Sequence, residues 1–97
     1  MAQAMAEPPW SRNDTAGEAS KVLAFVEYLV CQLVDDPESV NVRMVSGVRT
    51  NVYEVRVAKG ELGKVIGRNG QTARSLRTLL NAVAAKNQIR AVLEILE

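Results

Sequence analysis

From Glu18 onward apolar residues recur at intervals of three and four, so Val22, Phe25, Val26, Leu29, Val30 and Leu33 form one stripe of an amphipathic helix. That helix runs to about Asp35-Asp36-Pro37, where the proline stops it. The period then becomes two. Val40-Asn41-Val42-Arg43-Met44 and Tyr53-Glu54-Val55-Arg56-Val57 alternate apolar with polar and predict two strands, joined by a turn over Ser46 to Asn51. Ile89 to Ile95 alternates again, with Ile89, Ala91, Leu93 and Ile95 on its buried face. Between the second and third strands, Glu61 to Ile66 has the length of one short helix. Gln71 to Lys86 makes a longer one with Ala73, Leu76, Leu80, Val83 and Ala84 turned inward.

The order αββααβ predicts an α+β fold of two layers. The first two strands pair as an antiparallel hairpin. The second and third, joined through two helices, lie parallel, giving a mixed three-stranded sheet with three helices packed on one face. Residues 1–17, with Pro8, Pro9 and a lone Trp10, follow neither period and read as a flexible leader to one domain over 18–97.

Composition narrows the chemistry. The 97 residues suit a single domain, and 47% hydrophobic with 24% charged residues is the balance of a soluble globular one. Histidine is absent, and Cys31 is the only cysteine, so neither a zinc site nor an internal disulfide is available. Cys31 beside the apolar stripe reads as a small packing group. No metal or cofactor is expected, and no enzyme: Gly60-Glu61-Leu62-Gly63-Lys64 misses the P-loop spacing, and the glycines at 63, 67 and 70 miss the dinucleotide fingerprint. The apolar run Val22 to Val34 is broken by Glu27 and Gln32 and falls short of the roughly 18 residues of a membrane span. No secretory signal is legible at the N-terminus, so the cytoplasm is the expected location.

Charge is distributed unevenly. Residues 1–58 carry five basic against eight acidic side chains, whereas 59–97 carry seven against three. From Leu62 to Arg90 the chain holds Lys64, Arg68, Arg74, Arg77, Lys86 and Arg90 without one acid, so an anionic partner is attracted there. Within that stretch Gly67-Arg68-Asn69-Gly70 links the two inner helices. The glycines have two possible jobs: to let the chain turn sharply, or to let a phosphodiester backbone approach the main chain at a helix N-terminus. Lys64, Arg68 and Arg74 flank the loop with no acid between them to compensate.

A GxxG loop between two helices that lie between strands, preceded by the aliphatic pair Val65-Ile66, resembles a KH domain of type II. The likeness extends further: Val-Glu-Tyr-Leu-Val, Leu-Val-Asp-Asp-Pro-Glu, Leu-Gly-Lys-Val-Ile-Gly-Arg-Asn-Gly, Leu-Arg-Thr-Leu-Leu and Val-Leu-Glu-Ile-Leu-Glu look like the small bacterial KhpA family. That covers about Ala19 to Glu97. The resemblance implies a cytoplasmic protein that clamps about four nucleotides of single-stranded RNA, with broad targets, as an RNA chaperone or post-transcriptional regulator. It further implies a homodimer, or a heterodimer with a KH protein of the KhpB/Jag type. Carried over by position, the loop is Gly67, Arg68, Asn69 and Gly70, Ile66 floors the groove, and Lys64 and Arg74 lie beside phosphates. Arg77, three residues on, shares the face of Arg74. Where relatives often carry an acidic pair before the first inner helix, this chain has Gly60-Glu61.

The scarcity of aromatics predicts weak, permissive binding by one domain, because Tyr53 is the sole aromatic in any predicted strand and little base stacking is available. The rival reading is a protein-interaction or dimerisation module in which the GxxG is mainly a turn. Val45, Val92 and Leu96, opposite the buried alternation, would be its apolar patch.

Overall fold

The computed structural model describes residues 17–96, with side chains from Ser20. The expected leader, Trp10 included, lies outside the described residues apart from Gly17, which opens the first helix. The elements are α1 (Gly17–Leu33), β1 (Asn41–Ser46), β2 (Asn51–Arg56), α2 (Leu62–Ile66), α3 (Gln71–Lys86) and β3 (Ala91–Ile95), with 3-10 turns at Pro37–Ser39 and Arg68–Gly70. The sheet order is β1-β2-β3. β1 and β2 are antiparallel, from Asn41↔Arg56 to Ser46↔Asn51, and β2 and β3 are parallel, from Asn51↔Ala91 to Val55↔Ile95. This is the expected αββααβ architecture, with all three helices on one side of the mixed sheet.

The core is where the two periods meet. Tyr53 and Val55 of β2 and Ala91 and Leu93 of β3 point inward against Val65 of α2 and Leu76, Leu80 and Ala84 of α3. From α1 the deepest row is Val22, Val26, Val30 and Val34, spaced by four. Phe25, Leu29 and Leu33 of the expected stripe flank that row and are only partly buried, and Val34, just past the helix end, completes it. Each fully buried valine stabilises by roughly 1.5 kcal/mol over exposure.

The third strand begins two residues later than its alternation suggests, for a reason seated at the end of α3. Gln88 takes φ 62, its N–H donates to the Ala85 carbonyl at 3.1 Å, and the Ile89 N–H donates to the Ala84 carbonyl at 2.9 Å. That is a Schellman cap with glutamine in the left-handed position usually held by glycine. Residues 87–89 are committed to closing the helix, and pairing starts where the Arg90 carbonyl accepts from Asn51. At the same end of β2, the hairpin from β1 closes through Gly47, whose N–H donates to Thr50 O at 2.9 Å. A Cβ at Gly47 would meet that same oxygen.

Among the described residues, no helix covers the outer face of the sheet. The pairing sets Val45, Val52 and Val92 in one row across the three strands. The next row holds Arg43, Glu54 and Glu94, with Arg43 Nε 3.6 Å from Glu54 Oε1.

Candidate nucleic-acid interface

The loop between α2 and α3 is shaped by backbone conformations that few side chains tolerate. Gly67 lies at φ 79, ψ 173, a region open essentially to glycine alone. A Cβ there would fall into the Thr72 side chain and come within 2.8 Å of the Thr72 nitrogen. Gly67 is therefore fixed by its neighbour in the first turn of α3, which is the turning role. Asn69 (φ 56) and Gly70 (φ 75, ψ 12) are both left-handed, a conformation that asparagine accepts more readily than most residues. Around Gly70 the space is open: the nearest atom to an added Cβ is Arg74 Nη2, 3.7 Å away. The two glycines thus differ: Gly67 is required by the turn, whereas the Cβ side of Gly70 is open.

The loop is braced from α3. Arg74 Nη2 donates to the Asn69 carbonyl at 2.8 Å, so this guanidinium caps the turn while its remaining donors stay on an exposed side chain. The Gly70 N–H donates to Gly67 O at 3.1 Å, and the Gln71 N–H to Arg68 O. The N-cap position of α3 is Gly70, so no N-cap side chain occupies that helix end. Its first-turn amides, together with the exposed Arg68 and Arg74, make the loop an electropositive corner.

The expected site residues do not all come together. Arg68, Asn69, Gly70 and Arg74 cluster at the corner. Ile66 next to it is exposed, whereas Val65, its partner in the aliphatic pair, is fully buried. Arg77 is exposed one turn further along α3. Lys64 corrects the expectation of an uncompensated cation: its Nζ lies 3.3 Å from Asp35 Oδ2 and 3.7 Å from Glu61 Oε1. The charge run has no acid in sequence, but the end of α1 brings one to it in space.

A further set of residues emerges only from the fold. An open trough runs from the loop along α3, lined by Gln71, Thr72, Arg74, Ser75, Thr78 and Leu79. Its polar members recur at three and four, a spacing that in the sequence is less distinctive than the run of cations around it. Cys31 stands apart from all of this. Burial, with Glu27 adding to it, pushes its thiol above the ordinary value, and Sγ sits 3.8 Å from the Pro37 carbonyl, as a packing residue would. Among the described residues no group of three or more His, Cys, Asp or Glu could hold a metal. No helix among them is long and apolar enough to cross a membrane.

Comparison with known proteins places this geometry. Residues 24–95 match the family model described as KhpA/KhpB, KH domain. A protein of Chlamydia trachomatis named RNA-binding protein KhpA is 47% identical over 73 residues, covering 75% of this chain and 94% of its own. Proteins of the same name from Borreliella burgdorferi (40% over 80 residues, 82% and 98% covered) and Aquifex aeolicus (50% over 72 residues, 74% and 91% covered) are similar too. Among solved structures, a crystal structure of an Aquifex aeolicus Era variant shares the fold at TM-score 0.57 and 17% identity, covering 86% of this chain and 31% of Era. With its helices, mixed sheet and GxxG corner in this order, and a family match over most of its length, the chain belongs to the KhpA/KhpB KH-domain family.

Proposed function

We propose that this protein binds single-stranded RNA at the corner formed by Gly67 to Gly70 and the first turn of α3, clamping about four nucleotides by their backbone. The observation that carries the reading is the open approach to Gly70 between the exposed Arg68 and Arg74. Phosphates meet guanidinium donors and the positive end of the α3 dipole there, and Ile66 offers an apolar floor. Arg77 lies one turn further on, where it adds to the field, and Lys64 contributes only what its two carboxylate neighbours leave uncompensated. The relatives' name, RNA-binding protein KhpA, supports the same partner. No reaction enters this reading, since the family is one of KH domains and not of enzymes. With little stacking available, contact is permissive in sequence, in keeping with a chaperone or post-transcriptional regulator acting on many cytoplasmic RNAs.

A second surface favours association. The row Val45, Val52 and Val92 on the bare side of the sheet is an apolar strip facing away from the loop. We read it as the place where a second copy, or a KhpB-type chain, docks. Pairing two domains raises apparent affinity through effective concentration wherever one RNA reaches both loops.

The test is a titration of fluorescent single-stranded RNA with wild type and the Arg68→Asp/Asn69→Asp variant at several salt concentrations. Aspartate accepts the left-handed conformation at 69, so the variant keeps the fold. Wild type is expected to bind with a log-log salt slope near −1.4, the value for about two phosphate contacts to a single strand. The variant is expected to lose binding while sedimenting as wild type does. Equal binding by both, or by neither, overturns the RNA reading and leaves the GxxG as a turn.

A further inference from the structure

Among the described residues, one charged side chain is buried: Glu61, 8% exposed. It stands at the N-cap of α2, yet makes no capping bond to its own helix. Its carboxylate instead reaches the segment just past the end of α1. Oε1 accepts from the Asp35 N–H at 2.5 Å and Oε2 from the Asp36 N–H at 3.0 Å. Both oxygens are engaged by consecutive main-chain amides, and Lys64 Nζ lies near Oε1 and Asp35 at once. A carboxylate holding two amides is a strong, directional tie.

The helix it precedes needs one. α2 has five residues, too few to be stable alone, and buries a single side chain, Val65. Glycines stand at both ends: Gly60, with φ 95 and nothing near its Cβ position, and Gly67 at the loop. A short rod with open space at its Gly60 end and a turn at its Gly67 end is held in place by whatever grips it from outside. α3 is anchored through Ala73, Leu76, Leu80 and Ala84 and braces Asn69 through Arg74, so α2 is the other support from which Gly67 to Gly70 is held.

We propose that Glu61 is a positioning residue for the GxxG loop, tying α2 to the end of α1 and so setting the attitude of the RNA-contacting corner. The proposal deepens the RNA reading and rests on it for its effect on affinity, but its effect on loop geometry can be read without RNA.

The experiment compares wild type, Glu61→Ala, Glu61→Gln and Arg68→Asp/Asn69→Asp by thermal unfolding, by amide resonances, and by titration of a fluorescent single-stranded RNA decamer at several salt concentrations. Folded Glu61→Ala is expected to bind about tenfold more weakly, with a salt slope shallower by about 0.7 as one phosphate contact is lost. Its Gly67, Asn69 and Gly70 resonances shift while those of Leu80 and Ala84 stay in place. Glu61→Gln, which keeps one acceptor oxygen, recovers part of the affinity and of the loop shifts. If Glu61→Ala does not fold, the glutamine variant decides alone. Wild-type slope and unmoved loop resonances in a folded variant overturn the proposal, and so does a loss that follows thermal stability with no change at the loop. Should the Arg68→Asp/Asn69→Asp variant bind RNA as wild type does, the RNA reading falls, and the loop resonances still decide the role of Glu61.

Discussion

Alanine at Gly67, compared with alanine at Gly70 and at Gly63, separates three roles that one residue type plays within eight positions. At Gly67 the substituted residue must hold φ 79, ψ 173, which costs a non-glycine residue on the order of 1–3 kcal/mol. Its Cβ must also displace the Thr72 side chain and approach the Thr72 nitrogen to 2.8 Å. Overpacking of this kind adds about 1–3 kcal/mol. The expected loss is therefore about 4 kcal/mol, a large part of the roughly 5–15 kcal/mol that holds a small domain together. Gly70→Ala carries only the left-handed backbone, with its nearest neighbour 3.7 Å away, and should cost about 1 kcal/mol. Gly63 is inside α2 with nothing near its Cβ position, so alanine there should stabilise by about 0.5–1 kcal/mol. Urea unfolding of the three variants, followed by circular dichroism, gives the order directly. Equal costs at 67 and 70, or a Gly67→Ala cost under about 1 kcal/mol, would refute the account of Thr72 as the wall behind the turn.

Two further outcomes follow from the ends and the centre of the fold. Gln88→Gly removes the left-handed penalty from the Schellman cap and should stabilise by about 1 kcal/mol, raising the melting temperature by about 4–8 °C in a domain of this size. An unchanged or lower melting temperature contradicts the cap. Tyr53 is fully enclosed, and burial raises its pKa against the smaller opposing effect of its hydrogen bond with Asn51. The unfolded chain then releases the phenol proton at about pH 10 while the folded chain retains it, so the unfolded state binds fewer protons above that pH and stability falls as pH rises. Urea unfolding between about pH 9 and 11 should show a steeper decline in wild type than in Tyr53→Phe. Parallel declines rule Tyr53 out as the cause.

What the sequence made legible was whatever repeats or punctuates. α3 occupies the expected Gln71 to Lys86 because a glycine-bounded link, an apolar stripe and a polar run after Lys86 all mark the same limits. The strand order follows from connection lengths. Strand ends were less legible: Ile89 alternates in phase with Ala91 and Leu93, yet its amide belongs to the cap of α3. Asp35 and Asp36 read as the stop of α1, and nothing in residue type says that their amides are held by a carboxylate 26 and 25 residues away. The same contact hid the partner of Lys64. Main-chain acceptance and through-space pairing leave no period in a sequence, so the loop's residues are legible there and its support is not.

The one-sided sheet has a consequence for how such a protein can change over generations. The strands' outward row of valines and the corner between α2 and α3 lie on opposite layers, with the whole core between them and no side chain in common. Substitutions that alter what the sheet meets leave the corner's residues untouched, and those that retune the corner leave the sheet as it was. Selection can therefore adjust each surface on its own.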